Sequence, residues 1–231
     1  MWQFLPKFAT ELSDLVLARE CIGCEELGTL LCVTCRNKVS GRAHIMRDLR
    51  FDELVEDLRI PLAIAYRYGP PVDAMIYRYK DNQIPELASV LSMLLAGSIQ
   101  QLASSEPDGS QKPLLIPIPS RDASVRARGF DPMVLISRHL SRAGYPIAHW
   151  LIDQRTAGRS KTLGTADRKN ASYDAFRVRA IPDRYVRNPI PAIVIDDVAT
   201  SGTTFTAAVS QLLLSGVHVS GCAAIAGARK L

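Results

Sequence analysis

Apolar and polar positions along the chain fall into short blocks that read as strands and helices in alternation. Phe4, Leu5, Phe8, Leu12, Leu15 and Val16 recur at helical spacing within residues 1–19. Only Lys7 is cationic in the first two turns, which suits a helix packed on its own protein better than one lying on a membrane. Residues 41–60 are charged and read as a connector. Leu62 to Tyr68 alternates like a strand, and Gly69-Pro70-Pro71 breaks it. Val72 to Lys80 reads as a short helix bearing Arg78, Tyr79 and Lys80, and Glu86 to Leu102 as a strongly apolar one. A polar linker, 103–112, leads to a buried strand at Leu114–Ile118. A helix over Asp131–Arg142, a strand over Ile147–Ile152 and a short extended piece at Phe176–Val178 come next. Ala192 to Ile195 is a β-branched run of the kind found in buried parallel strands. A helix over about Thr204–Leu214 and a small-residue strand over Val217–Ala226, expected to close the sheet, complete the order. This order predicts an α/β fold, a mostly parallel sheet flanked by helices on both faces, with a smaller N-terminal module. The division expected is 1–60 for helix, cysteine module and connector, and 61–231 for the α/β domain.

A length of 231 residues accommodates one such domain with an appendage. The net charge of +5 suits anionic small molecules or nucleic acid about equally. No uninterrupted apolar run has the length of a membrane span. Glu11, Asp14, Arg19 and Glu20 interrupt any signal-peptide pattern, so the expected location is the cytoplasm. His44, His139, His149 and His218 have no metal-ligand spacing, and Cys222, alone in an apolar strand, reads as a core thiol.

Cys21-Ile-Gly-Cys24 is followed, seven residues on, by Cys32-Val-Thr-Cys35. Two such knuckles supply four thiolates to one tetrahedral Zn²⁺, and Gly23 is expected to permit the tight knuckle turn. Disulfides are disfavoured in a cytoplasmic chain, and a thioredoxin-like redox pair needs only one motif. Four thiolates leave no open coordination position, so the zinc expected here is structural.

The richest chemistry runs from Pro191 to Phe205. Asp196 and Asp197 are expected where the strand ends. Val198, Ala199, Thr200, Ser201, Gly202, Thr203 and Thr204 form a small-residue loop leading into the helix. Such a loop offers unpaired N–H groups and the positive end of the helix dipole to a phosphate. Carboxylates repel phosphate, so they need a second task, and sugar hydroxyls and Mg²⁺ are the ligands that fit. A ribose-phosphate satisfies both halves of the stretch. The plain alternative is a strand–loop–helix turn with a Ser/Thr cap, in which paired acids carry an uncompensated cost. Neither the Gly-x-x-x-x-Gly-Lys-Ser/Thr of P-loop nucleotidases nor a dinucleotide-binding Gly-x-Gly-x-x-Gly is present. A second strand stops at Pro117-Ile118-Pro119-Ser120-Arg121, and Arg126 and Arg128 follow. Cations just beyond a strand end stand where open α/β sheets bind ligands. The basic segment 153–175 carries Arg155, Arg159, Lys161, Arg168 and Lys169 and suits a lid over a polyanion.

The stretch at Asp196-Asp197 resembles the signature with which type I phosphoribosyltransferases bind phosphoribosyl pyrophosphate (PRPP). The whole order is similar to the ComF (GntX-like) family, a four-cysteine zinc-ribbon module joined to a type I phosphoribosyltransferase domain. The landmarks are the two Cys-x-x-Cys pairs, Tyr68-Gly69-Pro70 with Tyr79-Lys80, Pro117-Ile118-Pro119, Arg128-Gly129-Phe130, Arg168…Asn170…Phe176 and Asp196-Asp197. One departure is Asp131-Pro132, where the family commonly has Asn-Gln. The resemblance implies that Asp196 and Asp197 hold ribose hydroxyls and Mg²⁺, directly or indirectly, and that Val198 to Thr204 hold the 5′-phosphate. It puts Ser120 and Arg121 on the pyrophosphate, and Arg155 and Lys161 in a flexible catalytic loop. The implied reaction is phosphoribosyl transfer to an unidentified nitrogen acceptor. The implied setting is DNA uptake in transformation, with recombination proteins, single-stranded DNA or a second copy of the chain as partners. The alternative is a non-catalytic accessory protein that binds PRPP or a ribose-5-phosphate nucleotide.

Overall fold

The computed structural model describes residues 20–39, 45–51, 54, 56–104, 112–154 and 175–228. The helix expected within 1–19 and the basic segment carrying Arg155 and Lys161 lie outside these residues. Five strands form one sheet: β1 (Ile45–Arg50), β2 (Arg59–Arg67), β3 (Leu114–Pro117), β6 (Ala192–Ala199) and β7 (Val219–Gly227), in the order β1-β2-β7-β6-β3. β2, β7, β6 and β3 pair in parallel, while β1 runs antiparallel to β2 along the edge. A separate antiparallel pair joins β4 (Leu151–Asp153) to β5 (Phe176–Val178). The α/β class and mostly parallel sheet are those the periodicity predicts.

The sheet buries both faces, as its strand composition requires. Ala63, Ala65, Leu115, Ile193, Ile195, Ala223 and Ile225 face one layer. That layer is built from α2 (Val72–Lys80), α3 (Ala88–Ala103) and α5 (Pro132–Arg142), joined by α1 (Val33–Val39) of the cysteine module. The alternate residues Leu62, Ile64, Leu114, Ile116, Val194, Cys222 and Ala224 face the other. There α7 (Thr203–Leu214) packs through Phe205, Ala208 and Leu212, beside the β4–β5 pair. Burial drives the Cys222 thiol pKa up, as befits an inert core residue.

Several local expectations change. The charged connector contains strand β1, whose Leu49 is buried while Arg47, Asp48 and Arg50 mask the two-strand pattern at a sheet edge. The sheet therefore starts before residue 61, and β2 itself begins at Arg59. β7 does not close the sheet but lies inside it, between β2 and β6, which is why its small residues are almost fully buried. Residues 122–128 form a short helix, α4 (Asp122–Arg128), where only a basic turn is expected, and a second, α6 (Asp183–Arg187), precedes β6. Of the expected Ile147–Ile152 strand, Ile147 makes one isolated bridge to Leu115, and pairing resumes at Leu151. Pro85–Ala103 is long and apolar enough to cross a membrane by length and composition. Here it is the core helix, with Leu91, Leu95 and Ile99 fully buried against the sheet layer.

Candidate functional site: a two-carboxylate crevice and a four-cysteine cluster

β6 extends through both aspartates to Ala199, so the acids lie within the strand rather than beyond it. Its two neighbours end at different heights. β7 pairs with β6 as far as Gly227 opposite Ala199, whereas β3 stops at Pro117 opposite Ile195. The last bond on that side runs from Ile118 N–H to the Ile195 carbonyl, at 2.9 Å. The next donor in register, Ser120 N–H, turns to the Asp131 carboxylate at 3.4 Å. β6 thus opens into a crevice at the level of Asp196 and Asp197, on the carboxyl side of the parallel strands, where such sheets take ligands.

A pocket of about 230 Å³ occupies the crevice, lined by Lys80, Ile118, Pro119, Ser120, Arg121, Ser124, Arg128, Asp196, Asp197 and Thr204. Asp196 accepts the Asp197 N–H at 2.8 Å. Asp197 is buried, and its Oδ2 lies 2.5 Å from Lys80 Nζ. Arg128 Nη2 lies 3.6 Å from Asp81 Oδ1 at the end of α2. The loop proper is only Thr200–Gly202. Gly202 sits in the left-handed region (φ 79°), a conformation open to glycine, and starts α7. The Ser201 and Thr203 hydroxyls hydrogen-bond each other at 2.7 Å on the exposed rim.

The expected site residues therefore divide. Asp196, Asp197, Ser120, Arg121 and Thr204 meet around one pocket. Thr200, Ser201 and Thr203 lie exposed around the turn between β6 and α7 and are not part of that lining. Val198 and Ala199 are ladder residues packed into opposite faces of the sheet. Lys80, Ser124 and Arg128 join the lining. Lys80 stands in the Tyr79-Lys80 landmark and Arg128 among the cations that follow β3, whereas Ser124 carried no signal in the sequence.

Two second-layer groups hold this lining. Asp131 caps α5, accepting Met133 N–H at 2.9 Å, and the same oxygen accepts the Ser120 hydroxyl at 3.1 Å. Tyr79, wholly buried, donates to the Pro132 carbonyl at 2.7 Å and packs its ring against Phe130 at 5.6 Å. Burial, then the nearby Asp197 and Asp131 charges, drives its pKa up, so it remains a neutral donor.

The four cysteine sulfurs of the N-terminal module all lie within 4.8 Å of one another. Cys24 and Cys32 sulfurs are 3.7 Å apart, close to the edge of about 3.8 Å that a tetrahedron with 2.3 Å zinc–sulfur bonds requires. Cys32 N–H points at Cys21 Sγ (3.3 Å) and Cys35 N–H at Cys32 Sγ (3.4 Å), orienting the thiolates. Burial alone would raise the Cys21 pKa, but backbone N–H groups of Cys32, Gly23 and Cys24 outweigh it and bring it to about 6. Burial and the neighbouring thiols push Cys35 up to about 12. A crowded set of this kind suits a dication. Gly23 is needed for room rather than for its turn: a Cβ there would lie 2.7 Å from Cys35 Sγ. The cluster packs on α2, since Cys21, Ile22, Leu31 and Val39 share a core with Val72, Met75 and Tyr79.

Comparison with known proteins adds a relationship. DNA utilization protein YhgH of Shigella flexneri is 30% identical over 155 residues, 64% of this chain and 63% of that one. YhgH of Escherichia coli K12 is 29% identical over 155 residues, with the same shares. YhgH of Salmonella typhimurium LT2 is 28% identical over 157 residues, again 64% of this chain and 63% of that one. The chain is homologous to these proteins over that stretch and spans about 63% of their length. No protein-family model matches it.

The double role of Asp131 yields a prediction. Asp131→Ala removes a helix cap and the tether of Ser120 together, and should lower the unfolding free energy by about 1–2 kcal/mol in urea titrations. Asp131→Asn keeps an acceptor for Met133 N–H and should recover most of that loss.

Proposed function

We propose that this chain is a ComF-type protein whose α/β domain binds PRPP and transfers its phosphoribosyl group to a nitrogen acceptor. The observation that carries this reading is the crevice itself: paired carboxylates on the half-paired end of β6, facing Ser120, Arg121 and Arg128 across one pocket. Sugar hydroxyls satisfy the acids, and phosphate oxygens satisfy the cations, so a ligand carrying both fits better than either alone. In the reaction the bond from ribose C1 to the pyrophosphate oxygen breaks and a C1–N bond forms. The bonding pair leaves with pyrophosphate, and the acceptor nitrogen loses its proton. Positive charge on the ribose is offset by Asp196 and Asp197, and the departing diphosphate by Arg121 and Arg128. Mg²⁺, bound with PRPP and held through the ribose side by Asp196 and Asp197, would supply further neutralisation of the diphosphate. Because Asp197 already has a lysine partner, the donor set fits a metal that arrives with the ligand rather than one resident beforehand. Cys21, Cys24, Cys32 and Cys35 would hold a structural Zn²⁺ with no open position. By extension from YhgH, the cellular task is DNA utilization.

One observation favours a second reading, an accessory protein that contacts single-stranded DNA. Arg177, Arg179, Arg184 and Arg187 are all exposed within eleven residues of β5 and α6, against one acid, Asp183. Arg184 stacks over the Tyr185 ring at 4.9 Å, and Tyr185 meets Trp150 at 5.1 Å. Trp150 ties the two segments together, meeting Tyr185 of α6 and accepting the Arg179 N–H at 2.7 Å.

Calorimetric titration of PRPP with Mg²⁺ should give saturable binding by the native protein and none by Asp196→Asn/Asp197→Asn. A folded native protein that gives no heat would remove the PRPP reading. Elemental analysis should find one zinc per chain, and Gly23→Ala should lose it to a chelator far faster, because its methyl group displaces Cys35. For the second reading, oligothymidylate affinity should fall steeply with salt, and Arg177→Glu/Arg179→Glu should flatten that slope by about two phosphate contacts. An unchanged slope would remove this face from consideration.

A further inference from the structure

Lys80 and Asp197 form an ion pair inside the crevice. Asp197 is only 6% exposed, and an ionised carboxylate so placed is costly without a cation. Lys80, from the last turn of α2, supplies it at 2.5 Å. Yet the lysine side chain is not buried with its partner: it is 24% exposed and lines the same pocket as Arg121 and Arg128. Its backbone is fixed by its neighbour Tyr79, locked under Phe130 and Pro132. The stem beyond is four flexible methylenes ending in a compact ammonium, which can change partner without moving the helix.

We propose that Lys80 is a diphosphate-binding residue that exchanges partners when ligand enters. In the free protein its ammonium neutralises Asp197. When a ligand carrying both vicinal hydroxyls and a diphosphate enters, the hydroxyls donate to Asp197 and the ammonium turns to a phosphate oxygen. No charge is left bare at either stage. A diphosphate alone strips Asp197 of its cation, and a ribose monophosphate alone brings hydroxyls to an acid already paired. The site therefore favours the two groups joined in one molecule. This rests on the ribose-phosphate reading of the crevice and adds a residue from a different element to it, one that also explains why the pocket holds three cations against two acids.

A double-mutant cycle tests it, with inorganic pyrophosphate as probe in magnesium buffer. The four proteins are native, Lys80→Gln, Asp197→Asn, and both together. The double variant removes both charges, so it leaves no unpaired ion to compromise folding. Lys80→Gln should weaken pyrophosphate binding at least about tenfold in either background, the loss expected for one contact to a charged group. Asp197→Asn alone should tighten it, because Lys80 is released. If Lys80→Gln has no effect in the Asp197→Asn background, the lysine serves only as counter-ion to Asp197 and the proposal is overturned. Absence of pyrophosphate binding by Asp197→Asn, in which Lys80 is released, overturns it too. Parallel titrations of PRPP and ribose 5-phosphate separate the two ideas. Lys80-dependent pyrophosphate binding, with PRPP no tighter than pyrophosphate and ribose 5-phosphate not bound, would leave the anion site standing and remove the ribose. PRPP binding that needs Asp196 and Asp197, with a silent Lys80 in the cycle, would remove this inference alone.

Discussion

The unequal pairing of β6 is the constraint on which the site depends. A parallel strand in the middle of a sheet spends its backbone groups on both neighbours. β6 does so through Ile195 and then loses one neighbour four residues before the other. Ser120, the next donor in register after Ile118, gives its N–H to Asp131 instead. Both aspartates consequently stand on rigid, ladder-bonded backbone while facing an opening. A loop would offer the same groups with less precision, and a fully paired strand would bury them.

The second constraint comes from α2. Its apolar stripe is shared between the sheet layer and the cysteine module, and its last turn delivers Lys80 to Asp197. Gly23 stands close enough to the α2 entry that a Cβ on it would lie 3.6 Å from Pro71. The cluster of thiols is thus one helix away from the carboxylates, through continuous packing. A metal ion held by the four cysteines would brace the helix that positions the lysine.

Asp131 shows how a single side chain joins levels that a sequence presents separately. Asp131, the first residue of the expected helix, is its N-cap. The same carboxylate also holds the loop that follows β3, eleven residues earlier, and so shapes the pocket wall.

Much of the fold was readable along the chain because burial imposes periodicity. The stripe in Val72–Lys80, the apolar run of α3 and the β-branched β6 each face a core, and each reads correctly as helix or strand. The cysteine spacing likewise determined a cluster, since two knuckles can bring four sulfurs together with little help from the rest of the protein. Acids followed by a small, hydroxyl-rich turn pointed to the stretch that borders the crevice. What the sequence could not carry was anything set by pairing between distant segments. Strand β1 hid behind edge charges, β7 gave no hint that it would insert between β2 and β6, and β6 owes its last four residues to pairing with β7 past the point where β3 stops. Lys80 and Asp197 are more than a hundred positions apart, so only the packing of α2 against the sheet could make them partners. Local periodicity records which side of an element is buried; which element lies opposite is decided by tertiary contacts that leave no mark in either segment alone.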